Sequence, residues 1–135
     1  MDIRKVTDML SVAPQIAPED MTELAALGFK SVVSNRPDGE EAGQPTAAEM
    51  AAAAETAGLA FQHVPVISGA MTADDVVTNA AALDALDGPV LAYCRSGTRS
   101  IMLWAQDQIA NGKMDADAVI EAGAQAGYNL GPLRR

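Results

Sequence analysis

Val90-Leu91-Ala92-Tyr93-Cys94-Arg95-Ser96-Gly97-Thr98-Arg99-Ser100 is the stretch on which the fold turns. A short apolar run ends in the only cysteine of the chain, crosses a loop with two arginines and a glycine, and meets the helix-forming segment Ile101–Ala110. A short apolar run bounded by turn residues fits a buried parallel strand. Strand, small-residue loop and helix make one unit of an α/β sheet, with its chemistry at the bend. Backbone N–H groups of such a loop and of the first helical turn converge on one point, where the helix dipole adds positive potential. A thiolate on Cys94 would sit at the base of an anion-binding cradle.

The rest of the chain extends this pattern in both directions. Ile3–Val6 and Leu10–Ala13 read as two extended pieces around Asp8, a hairpin at a sheet edge. Pro18, Glu19 and Asp20 suit a first helical turn; Met21, Leu24, Ala25 and Leu27 supply an apolar face, and Gly28 stops the helix. Lys30–Ser34 is a short strand, followed by the polar loop Asn35–Pro45. Thr46 with Glu49 predicts a capping box that opens an alanine-rich helix ending at Gly58. Leu59–Val66 reads as the next strand and Ile67–Met71 as a loop. Thr72 caps a helix to about Leu86, with Asp74 and Asp75 in its favourable first turn. Asp115 caps a last helix to about Ala124, and Gly127–Arg135 is a tail.

Strands and helices alternate, and the crossovers are long enough for parallel pairing. The expected fold is α/β, a mostly parallel central sheet of four to five strands with helices on both faces, forming one domain over residues 1–135. Ligands of such sheets bind beyond the carboxyl ends of the strands. Cys94–Arg99, Asn35–Asp38 and Ile67–Met71 are expected to share that end.

Composition narrows the function. The chain carries a net charge of −9, which disfavours broad contact with nucleic acid or an anionic membrane. No apolar run approaches the roughly 20 residues of a membrane span, and Met1–Lys5 has no secretory-signal character. A soluble, cytoplasmic protein is expected. One cysteine excludes an internal disulfide and a multi-cysteine zinc site, and one histidine, His63, leaves no imidazole cluster. Neither a metal nor a cofactor is expected.

The candidate site follows from residue types. Cys94 is the candidate nucleophile and Arg99 the group that holds substrate oxygens, bidentately where geometry permits. Gly97 permits a positive φ that turns N–H groups inward. Ser96 and Thr98 complete the substrate-binding loop, and Ser100 can donate its hydroxyl to the sulfur. Arg95 either lines the rim or pairs with an acidic neighbour, and Arg36 and Asn35 either extend the anion site or cap a strand end. Two arginines cannot be buried without partners, and an oxyanion is the expected one. His63 is expected to be a hydrogen-bonded structural residue. Asp38 is expected to make a turn or pair with Arg36, and Glu40-Glu41 to be solvated.

Cys94-Arg95-Ser96-Gly97-Thr98-Arg99 resembles the Cys-Arg-x-Gly-x-Arg loop of rhodanese-type sulfurtransferases. The body does not: the Asp-x-Arg strand and Gly-His-Ile-x-Gly-Ala stretch of those proteins are missing. Asn35-Arg36-Pro37-Asp38-Gly39-Glu40, with Gln44-Pro45-Thr46, then His63-Val64-Pro65-Val66 and Tyr93–Ser100, resemble instead a bacterial family. It is the β-lactamase hydrolase-like protein phosphatase-type domain, dual-specificity-phosphatase-like in fold and often fused to persulfide dioxygenases. The resemblance implies a phosphatase-like body and a functional link to a persulfide dioxygenase. It leaves the reaction open, since members are described as sulfurtransferases and as phosphatases.

Two features favour sulfur transfer. Phosphatases of this type place five residues between cysteine and arginine, whereas four separate Cys94 from Arg99. A phosphatase also needs a carboxylic acid to protonate its leaving group, and the loop after Val66 holds no acid before Asp74. The expected reaction is therefore transfer of sulfur through a Cys94 persulfide, from thiosulfate or a low-molecular-weight persulfide to a thiol. The partners are then a small anionic sulfur donor and a thiol acceptor. Phosphate hydrolysis through a phosphocysteine is the alternative, and a non-catalytic anion-binding or docking module is a further one.

Overall fold

A computed structural model describes residues 1–134. Strands β1 (Arg4–Lys5) and β2 (Leu10–Ala13) form the opening hairpin. Then come α1 (Asp20–Ala26), β3 (Ser31–Ser34), α2 (Ala47–Thr56), β4 (Ala60–His63), α3 (Ala73–Ala85) and β5 (Val90–Tyr93). Helices α4 (Thr98–Ala110) and α5 (Ala116–Gln125) follow, with a short 3-10 turn at Gly131–Leu133. The strands lie in the order β1-β2-β5-β3-β4, and only β1 runs antiparallel to its neighbour. The α/β expectation, with its mostly parallel sheet and edge hairpin, holds.

Helices cover both faces of this sheet. On one, Leu10, Val12, Val33, Val90 and Ala92 pack with Ala82 of α3, with Ile101, Trp104 and Ala105 of α4, and with Val119 of α5. On the other, Ala13, Val32, Leu91 and Tyr93 pack with Met21 and Leu24 of α1 and with Met50 and Ala54 of α2. Strands β2, β3 and β5 are buried along their whole length, as strands covered on both faces must be. Side chains therefore alternate between two apolar layers, which is why these strands read as unbroken apolar or small-residue runs.

The register brings the site together. Ala13, Tyr93, Ser34 and His63 finish level with one another, so the loops that follow β2, β5, β3 and β4 emerge side by side. Strand β4 stops at His63, short of the expected Val66, because Pro65 lacks an N–H to continue the ladder. The chain beyond it is still held: the Val64 N–H donates to the Ser34 carbonyl and the Val66 N–H to the Asn35 carbonyl.

Helix starts follow the capping residues. Thr46, Thr72 and Asp115 each accept a hydrogen bond from a first-turn N–H of α2, α3 and α5. The reciprocal box expected at Thr46 and Glu49 forms fully at Thr72 and Asp75 instead. At α2 the helping acid is Asp38, which accepts from the Ala47 N–H at 2.8 Å. Helix α4 begins at Thr98, three residues before the expected Ile101, with Gly97 as a cap at φ 89°. No helix among the described residues is long and apolar enough to cross a membrane.

Candidate active site

Cys94 is buried where β5 ends, and the Gly97 N–H donates to its sulfur at 3.1 Å. Gly97 is itself buried, in the left-handed region that favours glycine. Its backbone leaves no room for a side chain, since a Cβ there would meet the Tyr128 hydroxyl and the Ala13 backbone. Around this floor Arg95, Ser96 and Thr98 are exposed. The Ser96 and Thr98 hydroxyls lie 3.0 Å apart, while the Arg95 backbone is tied to the loop after β2 through the Gln15 N–H.

Arg99 rises from the first turn of α4, its side chain 11 % exposed. It does not point into an empty site. Its two terminal nitrogens meet the two carboxylate oxygens of Glu40 at 2.7 and 2.9 Å, and Nη1 also donates to the Val66 carbonyl at 2.9 Å. The same carboxylate accepts from Arg36 Nε at 2.9 Å. Arg36 is 3 % exposed, and its Nη1 donates to the Gln15 side chain at 3.1 Å. Glu41 stands farther off, 3.6 Å from Arg36 and 3.9 Å from Arg95. The three arginines thus face two carboxylates, which leaves a net charge of +1 around Cys94.

These contacts set the protonation of Glu40. Arg99 first and Arg36 after it hold the Glu40 carboxyl below the usual carboxylate range, against the opposing effect of burial. The Glu40 contact in turn raises Arg99, with the Cys94 sulfur adding to it. Glu40 is an anion at neutral pH and a poor proton donor. Burial raises the Tyr93 phenol, with the Ser34 and Gln15 side chains opposing it.

Several expected placements change. Ser100 does not turn its hydroxyl to the sulfur; it donates to Asn35 Oδ1 at 2.8 Å. Asn35 does not line a binding surface. It is buried, its Nδ2 donating to the Val64 carbonyl at 3.1 Å and to Asn79 Oδ1 at 2.9 Å, so its polar atoms are spent on structure. Arg36 lies behind Glu40 rather than open to a ligand. Asp38 caps α2 rather than pairing with Arg36; Glu40 and Glu41 are exposed as expected, but the Glu40 carboxylate is tied to Arg36 and Arg99. Of the two loop arginines only Arg99 is largely buried, and it has protein partners, while Arg95 is 72 % exposed, so burial does not require an oxyanion. Cys94, Arg99, Arg95, Ser96, Gly97 and Thr98 are brought together. His63, as expected, is hydrogen-bonded, its Nε2 2.9 Å from the Arg36 carbonyl.

Glu40, Gln15 and Tyr128 were missed by sequence reasoning. The signal for Glu40 is charge arithmetic: two arginines follow the cysteine, and acids stand in the loop after β3, which emerges at the same sheet end. Gln15 and Tyr128 carry no such signal, being single polar residues in loops distant along the chain. No group of three or more His, Cys, Asp or Glu side chains is placed to hold a metal among the described residues.

The family model for the beta-lactamase hydrolase-like protein, phosphatase-like domain, matches residues 2–111. The chain belongs to this family. A beta-lactamase hydrolase-like protein of Xylella fastidiosa is 37 % identical over 131 residues, 97 % of this chain. The chain spans about 30 % of the length of the curated relatives it matches. A Neisseria meningitidis protein, provisionally described as a phosphatase, superposes with a TM-score of 0.87 at 38 % identity, over 99 % of this chain and 94 % of that one. TpbA of P. aeruginosa, solved in complex with pTyr, superposes with a TM-score of 0.67 at 20 % identity, over 90 % of this chain and 70 % of that one. At that identity the likeness is one of fold. These names favour the phosphatase alternative over sulfur transfer, of which none of them speaks.

Proposed function

We propose that the chain is a cysteine-dependent transferase that carries sulfur on Cys94. The thiolate attacks the outer sulfur of thiosulfate or of a low-molecular-weight persulfide. The Cys94–S bond forms, the donor's S–S bond breaks, and sulfite or a thiolate leaves with the bonding electron pair. In this reading the Gly97 N–H, which donates to the sulfur, supports its charge, and Arg99 supports the leaving anion once it gives up its bonds to Glu40. A second thiolate takes the outer sulfur and returns Cys94 to its starting form. With no second cysteine in the chain, the acceptor is external.

The observation that carries this reading is Glu40 across Arg99. Its carboxylate is tied to two guanidiniums and held ionised, so it does not serve as the general acid that hydrolysis of a phosphate ester needs. Asp38 is likewise committed, to the start of α2. Glu40 also lowers the positive charge available to a phosphoryl dianion. A sulfite or thiolate leaving group departs without a proton; thiosulfate is a dianion like a phosphoryl group, so the charge argument favours the singly charged persulfide as donor.

Phosphate hydrolysis through a phosphocysteine is the second reading, favoured by the phosphatase-like body and by the relatives' names. A functional link to a persulfide dioxygenase, which would consume a persulfide made here, goes with the first reading. Parallel assays decide between the two: thiosulfate with cyanide as acceptor, and p-nitrophenyl phosphate. Sulfur transfer predicts turnover in the first, none in the second, and an adduct of about 32 Da, one sulfur, on Cys94. Cys94→Ser removes both turnover and adduct. Turnover of the phosphate ester alone, without the adduct, overturns the proposal in favour of the second reading. No turnover in either assay favours a docking module.

A further inference from the structure

Tyr128 lies outside the stretch matched by the family model, beyond the end of α5, yet it reaches the floor of the site. Its hydroxyl donates to the Ser96 carbonyl at 2.9 Å. The next N–H along the chain, that of Gly97, donates to Cys94 Sγ at 3.1 Å. Both groups belong to one peptide unit, which is trans. In a trans peptide the C=O and N–H lie in one plane and point in opposite directions. Tyr128 therefore grips one end of a fixed dipole whose other end faces the sulfur.

Two further contacts seat the phenol. The Arg4 guanidinium lies 5.1 Å above the centre of the Tyr128 ring, a cation–π distance. Arg4 is itself held by Asp2 at 3.0 Å and by the Ala126 carbonyl at 3.4 Å. On the other side, Gly97 has no Cβ to hold the hydroxyl away. The opening strand and the tail thus converge on one peptide of the cysteine loop.

We propose that Tyr128 is a positioning residue for Cys94, acting through the Ser96–Gly97 peptide. Its hydroxyl fixes that peptide so that the Gly97 N–H aims at the sulfur, and by bonding the carbonyl it polarises the N–H further. Without it the peptide is free to rotate and the sulfur loses a directed donor. The inference rests on Cys94 being the reacting group and not on which group it carries.

The test is the rate of Cys94 alkylation by iodoacetamide as a function of pH, in the parent and in Tyr128→Phe. The variant keeps the ring under Arg4 and removes only the hydroxyl. The expected result is a profile displaced to higher pH by about half a unit, with rates on the rising limb about threefold lower and the same plateau, the size of one weakened hydrogen bond. A purely structural role would lower the thermal midpoint and leave the profile in place. Superimposable profiles overturn the proposal. Should Tyr128→Phe fold poorly, Arg4→Met, which keeps the phenol but removes its seat, gives a smaller displacement in the same direction or overturns the idea. Alkylation needs no turnover, so a displaced profile together with inactivity in both assays would sink the proposed function while leaving this inference standing.

Discussion

Replacing Glu40 by glutamine separates two roles that a carboxylate beside a site arginine can play. In the first it competes with an incoming anion; in the second it merely holds the arginine in place. Glu40 makes bonds of 2.7 and 2.9 Å to Arg99 and a third of 2.9 Å to Arg36. Inorganic phosphate must displace the two Arg99 bonds to reach the guanidinium. Converting each from charge-assisted to neutral weakens it by about 1 kcal/mol. The Glu40 side chain is 22 % exposed, so screening trims the pair to about 1.4 kcal/mol, or about tenfold in affinity. Isothermal titration of phosphate near neutral pH should therefore show Glu40→Gln binding about tenfold more tightly than the parent. Glu41→Gln, whose carboxylate is 54 % exposed and lies at 3.6 and 3.9 Å, serves as the control and should change affinity less than about twofold. If Glu40→Gln binds phosphate equally or more weakly, Glu40 is a support for Arg99, and the charge argument against a phosphoryl substrate collapses.

Other perturbations test neighbouring parts of the site. Asn35→Ala leaves Ser100 Oγ, Asn79 Oδ1 and the Val64 carbonyl short of a partner in a buried place; urea unfolding should show a loss of about 2–4 kcal/mol. Ser100→Ala should cost about 1 kcal/mol of stability and leave turnover nearly unchanged, because its hydroxyl faces Asn35; a large rate loss in a folded variant would return Ser100 to the sulfur. Gly97→Ala places a Cβ at φ 89° against the Tyr128 hydroxyl, and thermal unfolding should register about 1–3 kcal/mol of strain. The ion pair gives a pH signature. Because Arg99 depresses the folded-state value of Glu40, the unfolded chain binds its proton first. That stability is complete above the ordinary value of 4.5 and is lost as pH falls through the depressed one. Glu40→Gln should flatten this part of the acid-unfolding curve and leave the neutral region parallel to the parent.

Local signals were legible wherever the chemistry acts over a few residues. Thr72 and Asp115 announce their helices because a side-chain oxygen three positions before an N–H satisfies it wherever the helix lies. The apolar run Val90–Tyr93 announces a strand covered on both faces. The start of α4 is not legible because Gly97 caps it by backbone conformation alone, with no side-chain bond to read. The pairings of the site lie further out of reach. Arg99 and Glu40 are 59 residues apart, and an acid in a glycine-containing loop has the composition of a solvated one. The expectation that an oxyanion neutralises the buried arginines was sound in its electrostatics; it assigned the counter-charge to a ligand where the fold supplies a side chain. Nearness in sequence suggests that Ser100 faces the sulfur, but the helix turns its hydroxyl toward Asn35.

Asn35 has a consequence for how the site fluctuates. Its N–H donates to the Tyr93 carbonyl, its carbonyl accepts from Val66, and its side chain joins Val64, Asn79 of α3 and Ser100 of α4. One amide side chain with its own peptide groups thus ties the ends of β5, β3 and β4 to two helices. Opening the turn beneath the cysteine would break this set together, so hydrogen exchange at Asn35 and Val66 should require an excursion that also frees the start of α4. The exposed residues Arg95, Ser96 and Thr98 lie above that boundary and can exchange on their own. The Cys94 sulfur therefore sits where a fast-exchanging rim meets a floor that opens only as part of a larger cooperative unit.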